Sequence, residues 1–304
     1  MTRSLKVGVQ LPEVEYVVTW PQLREMARTA EAIGLDSVWL GDHLLYRWED
    51  APSRGPWEAW TALTAIAAVT ERVELGPLVA CTSFHNPAML AKKAATLDEI
   101  SGGRLILGLG AGWNETEYRA FGFPYDRRVS RFEEAFTIIR SLLRDGHCDF
   151  EGTYYQVHDL ELLPRGPRPE GPPLMVGSDG ERMLGITLPH VQAWNAWFAW
   201  FDNRVDRYRE LHARIDDACR SAGRDPAAVQ RTAALFVAFP DAVGRSMGDR
   251  TAPETRPLPS EPALLAAALR DFADAGVGHV QLVLDPISAD SIARLEPVLA
   301  LLDA

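Results

Sequence analysis

Two adjacent polar residues, Asp42 and His43, have the types that acid–base catalysis uses, and they follow the apolar segment "SVWL" at positions 37–40. An imidazole titrates near neutral pH, so a histidine at the end of a strand suits proton transfer or hydrogen bonding to a bound ring. Tyr46 and Trp48 lie directly downstream and would form an aromatic wall. We therefore predict a pocket here, in which His43 is the acid–base group.

A glycine-rich stretch is the second candidate. The sequence "RLILGLGAGWNE", residues 104–115, has the pattern of a strand that runs into a turn. A dinucleotide-binding turn is not predicted, because the third glycine of G-x-G-x-x-G would fall on Trp113, which is too bulky for close helix–strand packing. The glycines would let the backbone lie against a planar or anionic group, and Asn114 offers both a donor and an acceptor.

The segment "PPLMVGSDGERML" suggests an anion site. Gly177, Ser178 and Gly180 stand between a predicted strand and a helix, and the free N–H groups at the start of a helix attract anions. The carboxylate of Asp179 would repel an anion if it pointed inward, so the backbone and Ser178 would bind it; a plain helix cap is the alternative. Further along, Asn195 in "WNAWFAW" would face the pocket or bridge two loops.

Other kinds of chemistry find little support. The seven histidines include no H-x-H or H-x-x-x-H pattern and the three cysteines include no C-x-x-C, so no metal site is predicted. The chain contains no G-x-S-x-G elbow, which argues against a serine hydrolase. His85 is an alternative proton carrier, or else it caps the helix that begins at Pro87. Glycine-lined strand ends without metal ligands suit a bound organic cofactor.

Composition limits the partners. Asp and Glu total 42 against 31 Lys and Arg, a net charge of -11, so nucleic acid is not expected. No apolar stretch approaches membrane-spanning length, so no membrane partner is expected. Cys81, Cys148 and Cys219 are odd in number and widely spaced, which predicts reduced thiols in a cytoplasmic protein. We expect Cys81 to be a small buried thiol rather than a nucleophile.

The elements that must position these residues alternate between strand and helix. Eight such units predict a closed (β/α)8 barrel in a single domain over residues 1–304, with a doubly wound open sheet as the alternative. Insertions are expected after the fourth strand (a hairpin, residues 148–164) and after the seventh (residues 241–262). In a barrel the candidate residues would meet at the carboxyl ends of the strands. The predicted strands are Leu5–Leu11, Ser37–Leu40, Val73–Ala80, Arg104–Gly110, a segment from Leu174, Val191–Trp197, Gln230–Pro240 and His279–Leu284. The first predicted helix begins at about Pro21. The later predicted helices are Pro56–Thr70, Pro87–Ile100, Ser130–Arg144 with Ser130 as its cap, Arg204–Gly223 and Pro262–Gly276.

Taken together, the strand ends resemble the luciferase-like monooxygenase superfamily of flavin and deazaflavin barrels. The resemblance runs over nearly the whole chain and is strongest in "GLDSVWLGDHL", in "PPLMVGSDGERML" and in the long block from "ERVELGPLVACTSFHNP" to "GWNETEYRAFGFP". The amino-acid sequence of these segments is similar to that of the actinobacterial F420-dependent oxidoreductases of this superfamily.

The resemblance implies roles for individual residues and a homodimer. His43 with Asp42 would lie beside the deazaflavin ring, and a bulge with a non-prolyl cis peptide at Leu78-Val79 would back it. The inserted segments would cover the pocket. The implied cofactor-binding residues are Leu78, Val79, Ala80, Gly110, Asn114, Gly177, Ser178 and Gly180, the last three around the phosphate, and the substrate pocket would comprise Tyr46, Trp48, Trp113 and Asn195.

Three functions remain open at this point. The first is hydride transfer between F420 and a small organic substrate, and the second is an FMN-dependent monooxygenase in which reduced flavin activates O₂. The third is a catalytically silent barrel that serves as a binding subunit. Some F420 dehydrogenases have a glutamate in the loop after the fourth strand, where this chain has Ala111, Gly112 and Trp113. That difference weighs against a sugar-phosphate dehydrogenase.

Overall fold

The structure is a computed structural model that describes residues 3–49, 52–244 and 255–304. Its strands are β1 (Lys6–Gln10), β2 (Ser37–Leu40), β3 (Glu74–Pro77), β4 (Ala80–Cys81), β5 (Leu107–Gly110), β6 (His147–Glu151), β7 (Gln156–Glu161), β8 (Leu174–Val176), β9 (Ala193–Ala196), β10 (Gln230–Ala238), β11 (Leu258–Pro259) and β12 (Val277–Asp285). Its helices are α1 (Trp20–Ala32), α2 (Ala59–Ala67), α3 (Pro87–Ser101), α4 (Glu115–Phe121), α5 (Arg128–Asp145), α6 (Glu181–Thr187), α7 (Val205–Ser221), α8 (Pro262–Asp274), α9 (Ala289–Ala293) and α10 (Glu296–Asp303).

Parallel strands form a ring in the order β3, β2, β1, β12, β10, β9, β8, β5 and β4. β3 and β4 together occupy the third position: β4 pairs with β5, and a parallel bridge between Leu75 and Leu105 joins β3 to the segment that leads into β5. This pairing closes the ring. The predicted (β/α)8 barrel is therefore confirmed, and the open doubly wound sheet is excluded.

The third strand is not continuous over Val73–Ala80, as the sequence predicted. It breaks at a cis peptide bond between Leu78 and Val79, the position at which the family resemblance implies a bulge. β3 ends before this bond and β4 begins after it. The break turns the backbone at the carboxyl end of the strand, where a barrel presents its functional residues.

The helix N-termini differ from the prediction at three places, α2 and α5 in their first residue and α3 only in its cap. α5 begins two residues before Ser130, which therefore lies in the first turn and is not the cap. Asn86 rather than His85 caps α3, since the Asn86 side chain accepts from two backbone N–H groups of the first turn. α2 begins at Ala59 rather than Pro56, because the Glu58 carboxylate caps it in the same way. In addition, the sequence pattern did not predict α4, the short helix after β5.

Polar side chains cross the interior of the barrel. Ser37 Oγ lies 2.6 Å from His279 Nε2, although β1 separates their strands. Gly8 of β1 leaves room for this contact, since a Cβ there would lie 2.0 Å from Ser37 Oγ. Asn195 of β9 donates to Gln281 of β12 across β10 in the same manner. Side chains of non-adjacent strands meet only on the concave face of a sheet, so these residues mark the interior.

Two segments lie outside the regular strand–helix alternation. An antiparallel hairpin of β6 and β7 lies between α5 and β8 and forms a separate sheet, where the sequence predicted a hairpin over Cys148–Pro164. Of the insertion predicted at 241–262, residues 245–254 lie outside the described residues, and β11 beyond them pairs with β10. In the described parts of the chain, no helix has both the length and the apolar character needed to span a membrane.

Candidate active site

His43 lies just beyond the carboxyl end of β2, on the face of the barrel where active sites are built. The centroid of its ring lies 4.8 Å from that of Tyr46 and 5.7 Å from that of Trp113. Tyr46 also stacks on Trp48, with centroids 6.0 Å apart and an interplanar angle of 7°. The structure thus brings together His43 and three predicted pocket residues in one aromatic cluster (His43, Tyr46, Trp48 and Trp113).

A carboxylate that the sequence analysis did not single out holds the His43 ring. Glu117 on α4 places Oε2 3.0 Å from His43 Nδ1. Glu117 is only 1% exposed, and its Oε1 accepts from the backbone N–H groups of Leu44 at 2.6 Å and Leu45 at 3.0 Å. Asn114, the N-cap of α4, donates to the Leu45 carbonyl oxygen at 3.1 Å. These hydrogen bonds join α4 to the loop after β2 and fix His43 between them.

A second carboxylate reaches the cluster from the loop after β1. Glu13 accepts hydrogen bonds from Gln10 Nε2 at 2.5 Å and from the Tyr46 hydroxyl at 3.3 Å. Gly41 gives this carboxylate its space, because a Cβ there would lie 1.9 Å from Glu13 Oε1. Burial, together with the charges of Glu13 and Glu117, holds the pKa of Tyr46 well above its ordinary value. The phenol therefore stays protonated and acts as a donor.

These carboxylates change the acidity of His43. Burial by itself lowers the pKa of an imidazole, but the hydrogen bond with Glu117 and the negative charges of Glu13, Glu117 and Asp42 outweigh it. The pKa of His43 is raised as a result. A histidine whose pKa is raised keeps more of its cationic, proton-donating form at neutral pH, which suits a general acid.

The carboxylate of Asp42 bonds to groups other than the His43 ring. Its Oδ2 accepts from the backbone N–H of Cys81 and from His85 Nε2, each at 2.9 Å. Asp42 is 3% exposed and so anchors the loop after β2 to β4. His85, the alternative proton carrier, is engaged in this anchor rather than in the aromatic cluster. Burial raises the pKa of the Cys81 thiol to about 12, and the thiol is free and buried, as predicted.

Val79 packs against three of the strand-end glycines, although at Gly108 the Pro77 carbonyl oxygen is nearer still to an added Cβ, at 2.3 Å. A Cβ would lie 2.9 Å from the Val79 side chain if added at Gly108, 2.8 Å if added at Gly110, and 3.2 Å if added at Gly177. The sequence analysis placed the glycine backbone against a ligand; the structure places the Val79 side chain against these three glycines. The bulge therefore projects an apolar side chain over β5 and β8 at the mouth of the barrel.

The predicted anion loop is held by a side chain of the neighbouring strand β9. Gly177, Ser178 and Gly180 lie between β8 and α6, and Gly180 is the N-cap of the helix. The buried indole of Trp194 donates from Nε1 to the Ser178 carbonyl oxygen at 2.7 Å. The Gly180 N–H donates to Ser178 Oγ at 3.3 Å. The loop is therefore fixed in place by one buried tryptophan.

Asn195 is the predicted pocket residue that the structure does not bring to the aromatic cluster. Its amide nitrogen donates to Thr232 Oγ1 and to Gln281 Oε1, both at 2.7 Å. Asn195 is 3% exposed and belongs to the polar network inside the barrel. The sequence left two orientations open for the Asn195 side chain, which could face the pocket or bridge two loops. The structure shows neither a bridge between loops nor a contact with His43.

Glu13 and Glu117 are the candidates that sequence reasoning missed. Glu13 follows β1 directly, so applying the strand-end rule to the first strand would have found it. Glu117 is harder to find, because its helix was not predicted. Its one sequence signal is an acidic residue three positions after Asn114, which is typical of the first turn of a helix but does not indicate a histidine partner. Among the described residues, no group of three or more His, Cys, Asp or Glu side chains is arranged to hold a metal ion.

Comparison with known proteins gives relatives for this chain. The family model described as luciferase-like monooxygenase matches residues 5–243. An F420-dependent glucose-6-phosphate dehydrogenase of Kineococcus radiotolerans is 33% identical over 246 residues, which are 78% of this chain and 69% of that protein. A protein of the same name from Amycolatopsis mediterranei is 37% identical over 182 residues, which are 58% of this chain and 52% of that protein. The chain thus spans little more than half the length of the second relative.

Solved structures agree on the fold. An F420-dependent secondary alcohol dehydrogenase, solved in complex with an F420-acetone adduct, matches with a TM-score of 0.79 over 97% of this chain and 98% of that chain. The sequence identity is 20%, so this likeness shows the architecture alone.

Proposed function

The chain belongs to the luciferase-like monooxygenase family, and we propose that within it the chain is an F420-dependent oxidoreductase that transfers a hydride between F420 and a small organic substrate. Relatives that carry F420-dependent names support the choice of cofactor. The observation that carries the proposal is the His43 ring, fixed by Glu117 at the mouth of the barrel and beside an aromatic wall.

The residues at the mouth fit a planar deazaflavin ring. The cis bulge presents apolar side chains, and Val79 packs over glycines of β5 and of the loop after β8. In the proposed complex Leu78, Val79 and Ala80 back the ring, while Gly110 and Asn114 contact its edge. Gly177, Ser178 and Gly180 would form the phosphate loop, in which the Ser178 hydroxyl would donate to the phosphate.

F420 supplies the hydride chemistry when it is bound, and the side chains of this chain handle the proton. In the direction of reduction, cationic His43 donates a proton to the substrate atom that gains the electron pair; in the direction of oxidation, neutral His43 accepts it. Its Nδ1 is bonded to Glu117, so Nε2 is the nitrogen that exchanges the proton. Asp42 positions the loop that carries His43 through its bonds to Cys81 and His85.

The aromatic residues next to His43 bind the apolar part of the substrate and exclude water. Tyr46 is buried, whereas Trp113 is 49% exposed and lies at the edge of the cluster. A half-exposed tryptophan beside a fixed histidine suits a small organic molecule that enters from solvent.

We extend the proposal to the setting of the enzyme: one domain over residues 1–304, working in the cytoplasm as a homodimer. The three cysteines are buried and free, which is consistent with a reducing compartment. The homodimer follows from the family resemblance, and light scattering on the purified protein would give the mass of two chains.

A titration with cofactors tests the proposed function first. Absorbance and fluorescence changes on adding F420 should saturate at micromolar concentrations, whereas FMN under the same conditions should leave the signal of the free flavin unchanged. Binding of FMN instead of F420 would favour the oxygen-using monooxygenase. Binding of neither cofactor would favour a catalytically silent barrel.

Substitution of the proposed acid–base group tests the mechanism. His43→Ala should lower turnover of reduced F420 with a panel of enones and imines by about 10²–10⁴-fold, the usual contribution of a positioned acid–base group, while F420 binding is kept. The exposed His158, on β7, supplies the control variant His158→Ala, which should turn over normally. Normal turnover by His43→Ala would reject the role of His43.

A further inference from the structure

We propose that Glu117 is the positioning residue of the active site, which holds His43 in the tautomer with a proton on Nδ1 and leaves Nε2 free to exchange one. This inference rests on the proposed role of His43 in the proton step. It assigns a function to a residue of α4 that is not among the proposed ring-binding or phosphate-binding residues.

The contacts of the Glu117 carboxylate carry the argument. A carboxylate only accepts hydrogen bonds, so the 3.0 Å contact between Glu117 Oε2 and His43 Nδ1 requires a proton on Nδ1. The other oxygen, Oε1, accepts from the backbone N–H groups of Leu44 and Leu45 and also lies 3.2 Å from His43 Nδ1. These two bonds prevent the carboxylate from turning away, because turning would leave buried N–H groups without an acceptor. The loop that carries His43 therefore also fixes the Glu117 carboxylate that aligns the His43 ring.

Other charged groups that face His43 act on its charge but not on its tautomer. Glu13 approaches from the loop after β1 and accepts from Tyr46 and Gln10. Asp42, next in the chain to His43, bonds to His85 and Cys81. Their negative charges favour the imidazolium, as does that of Glu117. Glu117 is distinguished from them by its direct bond to a ring nitrogen.

The geometry gives a specific expectation for Glu117→Gln. A glutamine has one accepting oxygen and one donating nitrogen. The N–H groups of Leu44 and Leu45 both require the oxygen, which places the amide nitrogen at the Oε2 position, the nearer of the two to His43 Nδ1. A donor opposite Nδ1 requires that nitrogen to be unprotonated. The substitution should therefore move the proton of neutral His43 from Nδ1 to Nε2, which removes the accepting atom from the active-site side.

Nitrogen-15 NMR of histidine-labelled protein measures this directly and needs neither cofactor nor substrate. In the wild-type protein at high pH, His43 Nδ1 should show the shift of a protonated nitrogen and Nε2 that of an unprotonated one, with the signals assigned by their loss in His43→Gln. In Glu117→Gln the two shifts should exchange, and the pKa of His43 should fall. Glu115→Gln, an exposed position on the same helix, is the matched control and should change neither.

Kinetics then separate positioning from mere stability. Glu117→Gln should lower kcat for substrate oxidation about 10²-fold or more while the F420 dissociation constant changes little, because Nε2 of neutral His43 can no longer accept the proton. An unprotonated Nδ1 in wild-type neutral His43 would overturn the proposal whether or not the variant folds. An unchanged tautomer in folded Glu117→Gln would also overturn it. Absence of F420 binding would defeat the proposed function and leave the NMR result standing.

Discussion

At the scale of single residues, Val79 connects the cis bulge to the composition of two neighbouring strands. Its side chain occupies the space that a Cβ would need at Gly108, Gly110 and Gly177. Protein interiors are packed to crystal-like density, so an added methyl group there must displace Val79 rather than fill a void. Overpacking of this kind costs about 1–3 kcal/mol. Val79 and these glycines therefore form one packing unit.

A double-mutant cycle tests that unit. Gly110→Ala should lower the free energy of unfolding by about 1–3 kcal/mol in the wild-type background. In a Val79→Ala background it should cost clearly less, because the Cγ atoms that oppose the new methyl are gone. Denaturant unfolding of the four proteins gives the coupling.

The matched control for this cycle is Gly185→Ala. A Cβ on Gly185 in α6 would meet nothing within 4 Å, so alanine should stabilise the helix by about 0.5–1 kcal/mol. Equal costs of Gly110→Ala in both backgrounds would show that Val79 does not fill the space above the glycine.

The sequence predicts which residues reach the active site better than it predicts where their side chains turn. His43, Tyr46, Trp48 and Trp113 follow two strands, and the strand-end rule suffices to bring them together. The same rule does not decide the rotamer of Asp42, whose carboxylate is taken by partners on another loop.

Glu117 shows a different limit of the sequence. It acts from a helix, so its contact with His43 depends on the angle at which α4 leaves β5, and no periodicity encodes that angle. A residue that orients another side chain rather than binding a ligand can be identified only once the positions of both residues are known.

At the scale of elements, the strands are the best-predicted part, since buried parallel strands are short apolar runs bounded by glycine or proline. The third strand was predicted as one run because its residues remain apolar through Leu78-Val79. A change of peptide geometry leaves no mark on hydrophobic periodicity. Helix α4, with seven residues, is too short to give a clear helical pattern.

The loop between β8 and α6 gives a prediction at this scale. Trp194 holds the loop through one hydrogen bond to the Ser178 carbonyl oxygen. Trp194→Phe keeps most of the apolar contact and removes this bond, which should cost about 1 kcal/mol of stability. Backbone amides of residues 177–181 should exchange with deuterium faster, and F420 should bind more weakly if its phosphate lies there.

The chain offers a control for this substitution in Trp60→Phe. The Trp60 indole is also buried, and within the described residues its Nε1 has no hydrogen-bond partner. Trp60→Phe should therefore leave exchange at residues 177–181 unchanged. Equal exchange in Trp194→Phe and wild type would mean that the loop is held by other contacts.

At the scale of the whole molecule, the first and last strands of the barrel, β1 and β12, pair with each other, and a polar bridge crosses this junction. Ser37 of β2 reaches His279 of β12 over Gly8 of β1, and the Trp39 indole donates to the same Ser37 hydroxyl at 2.7 Å. The number of strand–helix units predicts that the ring closes. It does not predict a histidine inside the ring, because His279 occurs in an apolar run that reads as an ordinary strand.

The buried bridge predicts how acid destabilises the fold. Burial, with a smaller effect of the Lys6 charge, lowers the pKa of His279 to about 3, against about 6.5 in an unfolded chain. The folded state therefore binds fewer protons than the unfolded state between these two pH values. The contribution of His279 to the free energy of unfolding is thus fully present above pH 6.5 and is lost as the pH falls towards 3. A single group of this kind contributes at most about 1.4 kcal/mol per pH unit.

Replacing the histidine should remove this component of the acid response. His279→Gln keeps an amide that can bond to Ser37 but cannot take up a proton in this range. Its free energy of unfolding, measured in urea from pH 7 to pH 4, should fall less steeply than that of the wild type, even if its value at pH 7 is lower. His147→Gln, at a half-exposed side chain on the hairpin, should retain the wild-type slope. Parallel slopes for His279→Gln and wild type would mean that protonation elsewhere governs acid unfolding and that the closure of the barrel is not its sensitive point.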